Sequence, residues 1–516
     1  MPLSLALLIG VPASLVSVFF LIVKPYLRVR FYRKQGCYVR FTPLLGYTHK
    51  ILMNIPLHGD PLYSMKHLGS AERNAVAFGC NIAHTVQLNL IKPEMIKEFA
   101  NNDVGNYIRD PNYTHTLSLV EGKGLMMVEG DEWKRTRKLL TSVMHNEFLK
   151  TAIPSMVNTI DNMWEDLKRN RKDLNAIDIM HESDHMTAEI FGTLYFGDRY
   201  KGIKFEGRTI TELLVRFRRE ALTMAFLTPL YMIFGKKFIE WSPLKRHRQY
   251  RHDAKGVREV ILSLTNEIIA EFERGSDYGK NTIIRALYEQ RASGIEGAFT
   301  NEEIRDQFLS LIVTGNISTS HLLGEAAYYL KACCSQEFKN NLRREIETYL
   351  KDPYRVTFDD LGKMDHMTAL LKETLRYSPA TPFSLGKLAI RDHKLGNLNV
   401  KKGTMVCCMS ISNHFDEKNF EEPFTFKPER WLSGPSVANV AREPVIYTPF
   451  WTGQRACPAQ HIAMTQAKLC VGLFLKKFDY ELTDPNYKME YMQRSFCYEP
   501  KEPIRYRLTP REGIIG

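Results

Sequence analysis

The feature that constrains the fold most is a long apolar stretch that begins near residue 300. From Asn301 to Ala332 the sequence has helical character, and apolar side chains cover much of the helix circumference. A helix of this kind must be buried, so the rest of the chain has to surround this central helix. Thr300 and Glu303 have the spacing of a capping box, which predicts its start. Gly315 costs about 1 kcal/mol relative to alanine in mid-helix, which favours a packing or ligand role.

The rest of the chain is long enough and apolar enough to surround this helix. It has 516 residues, 44% of them hydrophobic, and no repeat or low-complexity tract. Helical patterns predominate and β-like pieces are short, which predicts a mainly α fold with small β-sheets. The other predicted helices are Asp131–His145, Ile153–Lys168, Ser183–Phe196, Asp253–Arg274, Ser335–Leu350 and Met364–Tyr377, and the predicted strands are Ala75–Phe78, Thr85–Leu88, Thr404–Met409 and Ile504–Leu508.

Charge and cysteine content narrow the class of protein. The formal net charge is +12, but lysine and arginine are spread along the chain, so the charge suits anionic partners without choosing one. We expect no nucleic-acid partner. The nine cysteines form no CxxC pair, which argues against a disulfide framework or a zinc site. Their odd number favours a reducing compartment.

The N-terminal sequence is typical of a membrane anchor. Leu3 to Val23 is uncharged and long enough to cross a bilayer as a helix. Basic residues follow it rather than precede it, which favours an anchor over a cleaved signal peptide and places the bulk of the chain in the cytosol. A buried hydrophobic helix is the alternative. We predict a transmembrane anchor at residues 1–25, a basic linker at 26–45 and a catalytic domain at 46–516.

One cysteine has neighbours that suit a thiolate. Cys457 precedes Pro458, which favours the first position of a helix, so we expect a helix N-terminus to stabilise an anion there. Gly453 permits a tight turn, and Arg455 adds a permanent positive charge. The alternative is a small buried hydrophobic side chain. The neighbours favour a thiolate that binds a metal.

Phe450, Gly453, Arg455 and Cys457 together match the pattern FxxGxRxC. This loop resembles the haem-binding loop of the cytochrome P450 family. The resemblance implies the P450 fold, with haem b buried between the central helix and the cysteine loop, and Cys457 as the axial iron ligand. Two positions depart from the longer family pattern, since Ala459 replaces a glycine and Gln466 replaces a glutamate.

Other segments resemble further family motifs in the expected order. Glu373 and Arg376 match ExxR, and Arg430 in KPERW matches the arginine that completes a buried network with that pair. Trp133 and Arg137 match the WxxxR helix, whose side chains hold a haem propionate. The family's third propionate-binding cation is replaced by a serine at position 384, and the sequence leaves open whether Lys387 or Arg391 substitutes.

The central helix departs from the family where oxygen is activated. Gly315 and Ser318 match the glycine and the alcohol of (A/G)Gx(D/E)T(T/S), and Thr319 matches the residue after the alcohol, but Ile317 replaces the acid. In the family the acid and the alcohol help deliver protons. Ser318 and Thr319 are therefore the expected oxygen-chemistry residues. Water, either hydroxyl, Asn316 or a substrate group remains open as the proton path.

The resemblance implies a haem-thiolate monooxygenase of the endoplasmic reticulum membrane. We expect it to use dioxygen and NADPH electrons, delivered by NADPH-cytochrome P450 reductase, with cytochrome b5 as a second candidate donor. Apolar segments at residues 221–234 and 378–383 favour a lipophilic substrate. Because Ile317 cannot relay a proton, two alternatives stay open: a peroxygenase or isomerase acting on oxygenated lipids, and a haem-binding protein without turnover.

Overall fold

The computed structural model describes residues 18–43, 57–58, 60, 63–68, 70–82, 85–102, 104–170, 173–226, 236–384, 386–493 and 498–511. The chain divides into two compact units. The first comprises residues 1–110, 382–423 and 438–456, and the second comprises residues 111–381, 424–437 and 457–516. Cys457 thus belongs to the second unit, whereas the preceding part of the cysteine loop belongs to the first.

The first unit is built around a six-stranded sheet. Two strand pairs are parallel and the others antiparallel, and their inward side chains, such as Val39, Leu88 and Val406, form a buried apolar core. In spatial order the strands of this sheet are Tyr38–Arg40, Phe78–Ile82, Thr85–Leu90, Met405–Cys408, Lys387–Ala389 and Tyr107–Arg109. A separate hairpin pairs His393–Leu395 with Leu398–Val400. The helices of the unit are Lys24–Arg33, Tyr63–Lys66, Ser70–Asn74, Pro93–Asn102 and Ser410–His414.

The N-terminal helix Lys24–Arg33 is part of this unit. Its Val29 and Tyr32 are fully buried in the core of the sheet, and the Tyr32 hydroxyl is hydrogen-bonded to Thr404 Oγ1 at 2.6 Å. Residues predicted as a basic linker therefore include a packed helix and a strand. Of the predicted anchor, residues 1–17 lie outside the described residues. None of the described helices combines the length and apolar character needed to span a bilayer.

The second unit is mostly helical. Three short sheets accompany the helices: Phe478–Leu482, Arg505–Pro510 and Ile177–Asp178 in one, and the hairpins Tyr491–Gln493 with Tyr498–Pro500 and Lys204–Phe205 with Arg208–Thr209. The helices are Pro111–Glu121, Gly130–Val143, Asn146–Asn170, Ile179–Phe196, Ile210–Phe226, Lys236–Trp241, Lys245–Glu273, Ile283–Ala292, Asn301–Cys333, Gln336–Tyr349, Phe358–Gly362, Asp365–Tyr377 and Gln460–Lys477, while Pro435–Arg442 crosses a boundary between the units.

The central helix Asn301–Cys333 organises the second unit. It begins at the predicted capping box, in which Thr300 and Glu303 bind each other's backbone amides. Most of its side chains are buried because other helices pack around it, as its all-round apolar character predicts. These neighbours are Pro111–Glu121, Ile179–Phe196, Ile210–Phe226, Lys245–Glu273, Asp365–Tyr377 and Gln460–Lys477.

The mainly α fold with small sheets is confirmed. The largest error among the predicted strands is Ala75–Phe78, because the observed strand begins only at Phe78. Ala75 still bonds through its amide to Glu72 O, 3.2 Å away, and so belongs to a helix end rather than to the sheet. Alternating side chains alone do not distinguish these two states over four residues.

Candidate active site

The first-unit part of the cysteine loop is a tight turn. Gly453 has φ +70°, and an added Cβ would lie 2.6 Å from Ala100 O, so both backbone conformation and space require glycine. It opens a 3-10 turn that ends at Arg455, whose side chain is half-buried. Phe450 is half-buried just before this turn. The predicted role of Gly453 in the turn is therefore confirmed.

Cys457 lies just before a long helix of the second unit. That helix begins at Gln460, so the prediction that Pro458 is its first residue is wrong; Pro458 lies in a turn, and Ala459 is the N-cap. Burial raises the pKa of the Cys457 thiol, while the Ala459 amide, which hydrogen-bonds to the sulfur, and the charge of Arg137 both lower it. Burial alone raises the pKa of Cys80 to about 12. Cys457 therefore has thiolate-stabilising neighbours that a purely structural cysteine such as Cys80 lacks.

Arg137 and Trp133 share the helix Gly130–Val143. Trp133 is 4% exposed and packs into the unit, whereas Arg137 is half-buried. Burial lowers the pKa of Arg137, and the charge of Cys457 raises it. Within the described part of the chain, Arg137 has no carboxylate partner. A half-buried, permanently charged guanidinium close to the sulfur fits an anionic ligand group.

The central helix exposes one short face in its middle. Between Ile304 and Leu330 only Thr314, Gly315 and Ser318 are partly accessible, and they share one side of the helix. An added Cβ at Gly315 would meet no atom within 4 Å. A flat ligand could thus approach the helix backbone there.

The side chains of the neighbouring residues Asn316, Ile317 and Thr319 do not lie on this accessible face. Thr319 is 4% exposed and lies off this face, so its role in oxygen chemistry rests on the motif alone. Ile317 is 1% exposed and packs against Ala380. Asn316 is turned to another helix, where its side-chain oxygen accepts a hydrogen bond from Thr187. The Asn316 amide is therefore already engaged.

Glu373 is the centre of a buried network. Its carboxylate accepts hydrogen bonds from Arg376 at 2.8 and 2.9 Å and from Arg430 at 3.1 Å. Glu373 and Arg376 are fully buried, so the predicted three-residue network is confirmed. Two donors not foreseen from the sequence complete it, namely the Lys427 amide and the Trp431 indole, each at 2.9 Å.

The first unit contains both residues that the sequence left open as a substitute cation. Arg391 is exposed, and its Nε donates to Asn106 Oδ1 at 2.8 Å. Lys387 is 6% exposed and lies directly opposite Arg109, which is 7% exposed, in an antiparallel strand pair. Sequence reasoning missed Arg109, whose burial follows from its register in the sheet.

Within the second unit these residues fit a haem. Cys457 offers the sulfur, Arg137 offers a cation for a carboxylate, and Gly315 leaves the helix backbone open. The helix that follows Cys457 packs directly against the central helix that carries Gly315. Sulfur ligation with one open axial side is the donor set of a haem-thiolate site.

Comparison with known proteins agrees with this geometry. A sequence profile described as cytochrome P450 matches residues 43–505. Echinocystic acid 23-monooxygenase of Saponaria officinalis is 26% identical over 408 residues, which cover 77% of this chain and 74% of that protein. A probable cytochrome P450 6a13 of Drosophila melanogaster is 23% identical over 437 residues, 83% of each chain. 7-Deoxyloganic acid hydroxylase of Catharanthus roseus is 26% identical over 419 residues, 78% of this chain and 76% of that protein. The chain therefore belongs to the cytochrome P450 family of haem-thiolate monooxygenases.

Proposed function

We propose that Cys457 binds the haem iron and that the enzyme inserts one oxygen atom from dioxygen into a lipophilic substrate. The observation that carries the proposal is the sulfur of Cys457, held by the Ala459 amide and near the Arg137 charge. A haem so ligated supplies the oxidising chemistry, with electrons that arrive one at a time from a partner protein.

The protein's own residues then have distinct tasks. Arg137 and Trp133 hold a haem carboxylate, and Gly315 lets the helix backbone approach the ring. The Ser318 hydroxyl lies 3.4 Å from Thr314 O, the limit for a hydrogen bond. Because that bond is weak, the hydroxyl is able to turn towards dioxygen and pass a proton.

We assign supporting roles to residues of the first unit from the family motif and from their burial. Arg455 serves a haem carboxylate, and Phe450 and Gly453 shape the loop before the cysteine. Lys387, with Arg109 beside it, takes the role that the serine at position 384 cannot fill. The exposure of Arg391 and its bond to Asn106 argue against that residue.

We also propose that the chain is anchored in the endoplasmic reticulum membrane and receives NADPH electrons from cytochrome P450 reductase, with cytochrome b5 as a second possible donor. The side chains of Val18, Phe19, Phe20 and Val23 are between 37% and 48% exposed. Such an exposed apolar run, followed directly by Lys24, suits entry into a bilayer. Resistance of the full chain to alkaline carbonate extraction tests the anchor, and its release would contradict it.

The central test uses a chain shortened before Lys24, since removal of the helix Lys24–Arg33 would expose the first unit's core. With this protein, the reduced carbon monoxide complex should show the strongly red-shifted Soret band of thiolate ligation. Cys457→Ser should abolish the band. Cys470→Ser, at a buried cysteine of the helix that follows Cys457, should keep it. A band that survives Cys457→Ser refutes the proposal.

Turnover separates the monooxygenase from the alternatives. Purified protein with reductase, NADPH and dioxygen should oxygenate members of a lipophilic panel. Consumption of lipid hydroperoxides without NADPH, and no NADPH-dependent product, would favour the peroxygenase or isomerase. The pocket segment at residues 221–234 lies outside the described side chains, so the substrate is proposed only by class.

A further inference from the structure

Three buried titratable side chains continue the line of Ser318 along the central helix. At 100° per residue, Glu325 and Tyr329 lie within about 20° of Ser318 around the helix axis, and His321 lies about 60° to one side. His321 and Glu325 are each 1% exposed, and Tyr329 is 4% exposed. Ionisable groups so deeply buried cost stability unless they interact with one another, so their presence calls for a reason.

These side chains meet a hairpin of the same unit. His321 Nε2 lies 3.9 Å from Glu499 Oε1, and the hydroxyls of Tyr329 and Tyr491 are hydrogen-bonded at 2.7 Å. Burial and then the nearby Glu325 charge raise the pKa of both tyrosines. We call His321, Glu325, Tyr329, Tyr491 and Glu499 the buried polar cluster. It runs from one helical turn beyond Ser318 to the hairpin.

The other polar side chains next to Ser318 are engaged away from this line. The Thr314 hydroxyl donates to Ser310 O at 2.7 Å, and Asn316 binds Thr187. The Ser320 hydroxyl donates to Asp184 at 2.6 Å on the opposite side of the helix. The helix members of the buried polar cluster thus lie on the Ser318 side of the central helix and follow Ser318 in the chain.

We propose that the buried polar cluster supplies protons to Ser318, with His321 as the residue nearest to it, in place of the acid absent at Ile317. This rests on the proposed monooxygenase function. An imidazole can release a proton from one ring nitrogen while it takes up another at the second. His321 therefore passes a proton towards Ser318 and regains one through Glu499, and Glu325 stabilises the imidazole while it carries the charge.

The proton path has a short way to solvent. Glu499 is 6% exposed, but the Lys501 side chain two residues later is 46% exposed. Protons and electrons balance, because NADPH supplies the electrons through the reductase. Insertion of one oxygen atom from dioxygen into the substrate takes two electrons and two protons and releases one water. Without substrate, reduction of dioxygen to hydrogen peroxide takes two electrons and two protons, and reduction to two waters takes four of each. His321 and Glu325 end each cycle unchanged.

Infrared spectroscopy tests the coupling without turnover. The vibrational band of Glu325 is identified by its loss in Glu325→Gln, in the haem-loaded protein. Ser318→Ala, seven residues away, should shift that band. Ser320→Ala, the same substitution on the opposite face, should leave it in place. A band unmoved by Ser318→Ala overturns the proposed coupling.

Oxygen consumption tests proton supply. With reductase in excess, Glu325→Gln and His321→Asn should lower the rate of NADPH-driven dioxygen consumption at least about tenfold. Glu325→Asp should restore most of it, because a carboxylate remains. Asp184→Asn, a buried carboxylate bonded to the same helix from the other side, should leave it unchanged. In the absence of substrate, NADPH used per dioxygen should fall towards one in the slow variants, as peroxide replaces water.

The two proposals fail in different ways. If the parent protein lacks the thiolate carbon monoxide band, the proposed function fails whatever the variants do. If all variants keep that band and their haem, and Glu325→Gln consumes dioxygen as fast as Asp184→Asn, the inference alone fails. Should Glu325→Gln lose haem, Glu325→Asp identifies the infrared band instead, and His321→Asn gives the kinetic result.

Discussion

The most exacting prediction concerns the carboxylate of Glu373. It accepts five hydrogen bonds in the fully buried network, from Arg376, Arg430, Trp431 and the Lys427 amide. Glu373→Gln keeps the shape of the side chain but removes its charge and turns an NH₂ group towards these donors. Two buried guanidinium groups then lose their counter-charge, which costs about 3–5 kcal/mol.

That cost predicts a definite change in thermal stability. The second unit has roughly 350 residues, and unfolding entropy is about 2.1 cal/mol/K per residue. If this unit unfolds as one, the melting temperature of Glu373→Gln should fall by about 4–7 °C. Differential scanning calorimetry of the haem-loaded protein at one scan rate measures the shift.

A matched control separates the charge network from the substitution itself. Glu147 pairs with Lys150 at 2.9 Å in the same i, i+3 spacing, but the two side chains are 73% and 51% exposed. Glu147→Gln should leave the melting temperature unchanged, because solvent screens an exposed pair. If Glu373→Gln lowers the melting temperature no more than Glu147→Gln does, the reasoning about the buried network is wrong.

Three further predictions use calorimetry and haem content. Gly315→Ala should stabilise the haem-free protein by up to about 1 kcal/mol, because the added Cβ meets no atom within 4 Å. The same substitution should lower the amount of haem bound per chain, and an unchanged haem content would contradict this. Gly192→Ala should cost about 1–3 kcal/mol, since its Cβ would lie 2.0 Å from the buried Tyr200 ring, and an unchanged melting temperature would refute the clash. Lys477→Met should cost about 0.5–1 kcal/mol. Lys477 pairs with Asp161 at 2.7 Å and with Glu165 at 2.8 Å, and it lowers the pKa of Glu165. The part of the cost that comes from Glu165 should be constant above pH 4.5 and be lost as the pH falls through the folded pKa of Glu165; a cost that does not fall in acid would contradict the pairing.

Much of the helical framework could be predicted from the sequence because it depends on local pattern. The capping box at Thr300 and the all-round apolar stretch that follows it gave the central helix its correct start, at Asn301. The short strands were harder to place, since their bounds depend on partners distant in the chain. Phe78 begins its strand because it pairs with Asn89, which local alternation does not reveal.

The parts of the candidate site that a short motif defines could be predicted from the sequence, whereas the parts that depend on packing could not. Cys457 and the Glu373 network follow from short spacings, but Arg137, whose charge lowers the pKa of the Cys457 thiol, lies more than 300 residues earlier in the chain. Likewise, the burial of Lys387 beside Arg109 depends on strand register. The strength of an electrostatic interaction depends on the distance between the two groups in space, and that distance is known only from the folded structure.

The position of Ile317 in the folded helix changes the interpretation of its replacement of the acid. At the sequence level it casts doubt on oxygen activation, because an isoleucine cannot carry a proton. In the structure Ile317 packs against Ala380, whereas an imidazole, a carboxylate and a phenol occupy later turns on the side of Ser318. The loss of one relay residue therefore does not imply the loss of proton supply. His321, with the Glu499 carboxylate 3.9 Å from its Nε2, is a group from which such a supply can come.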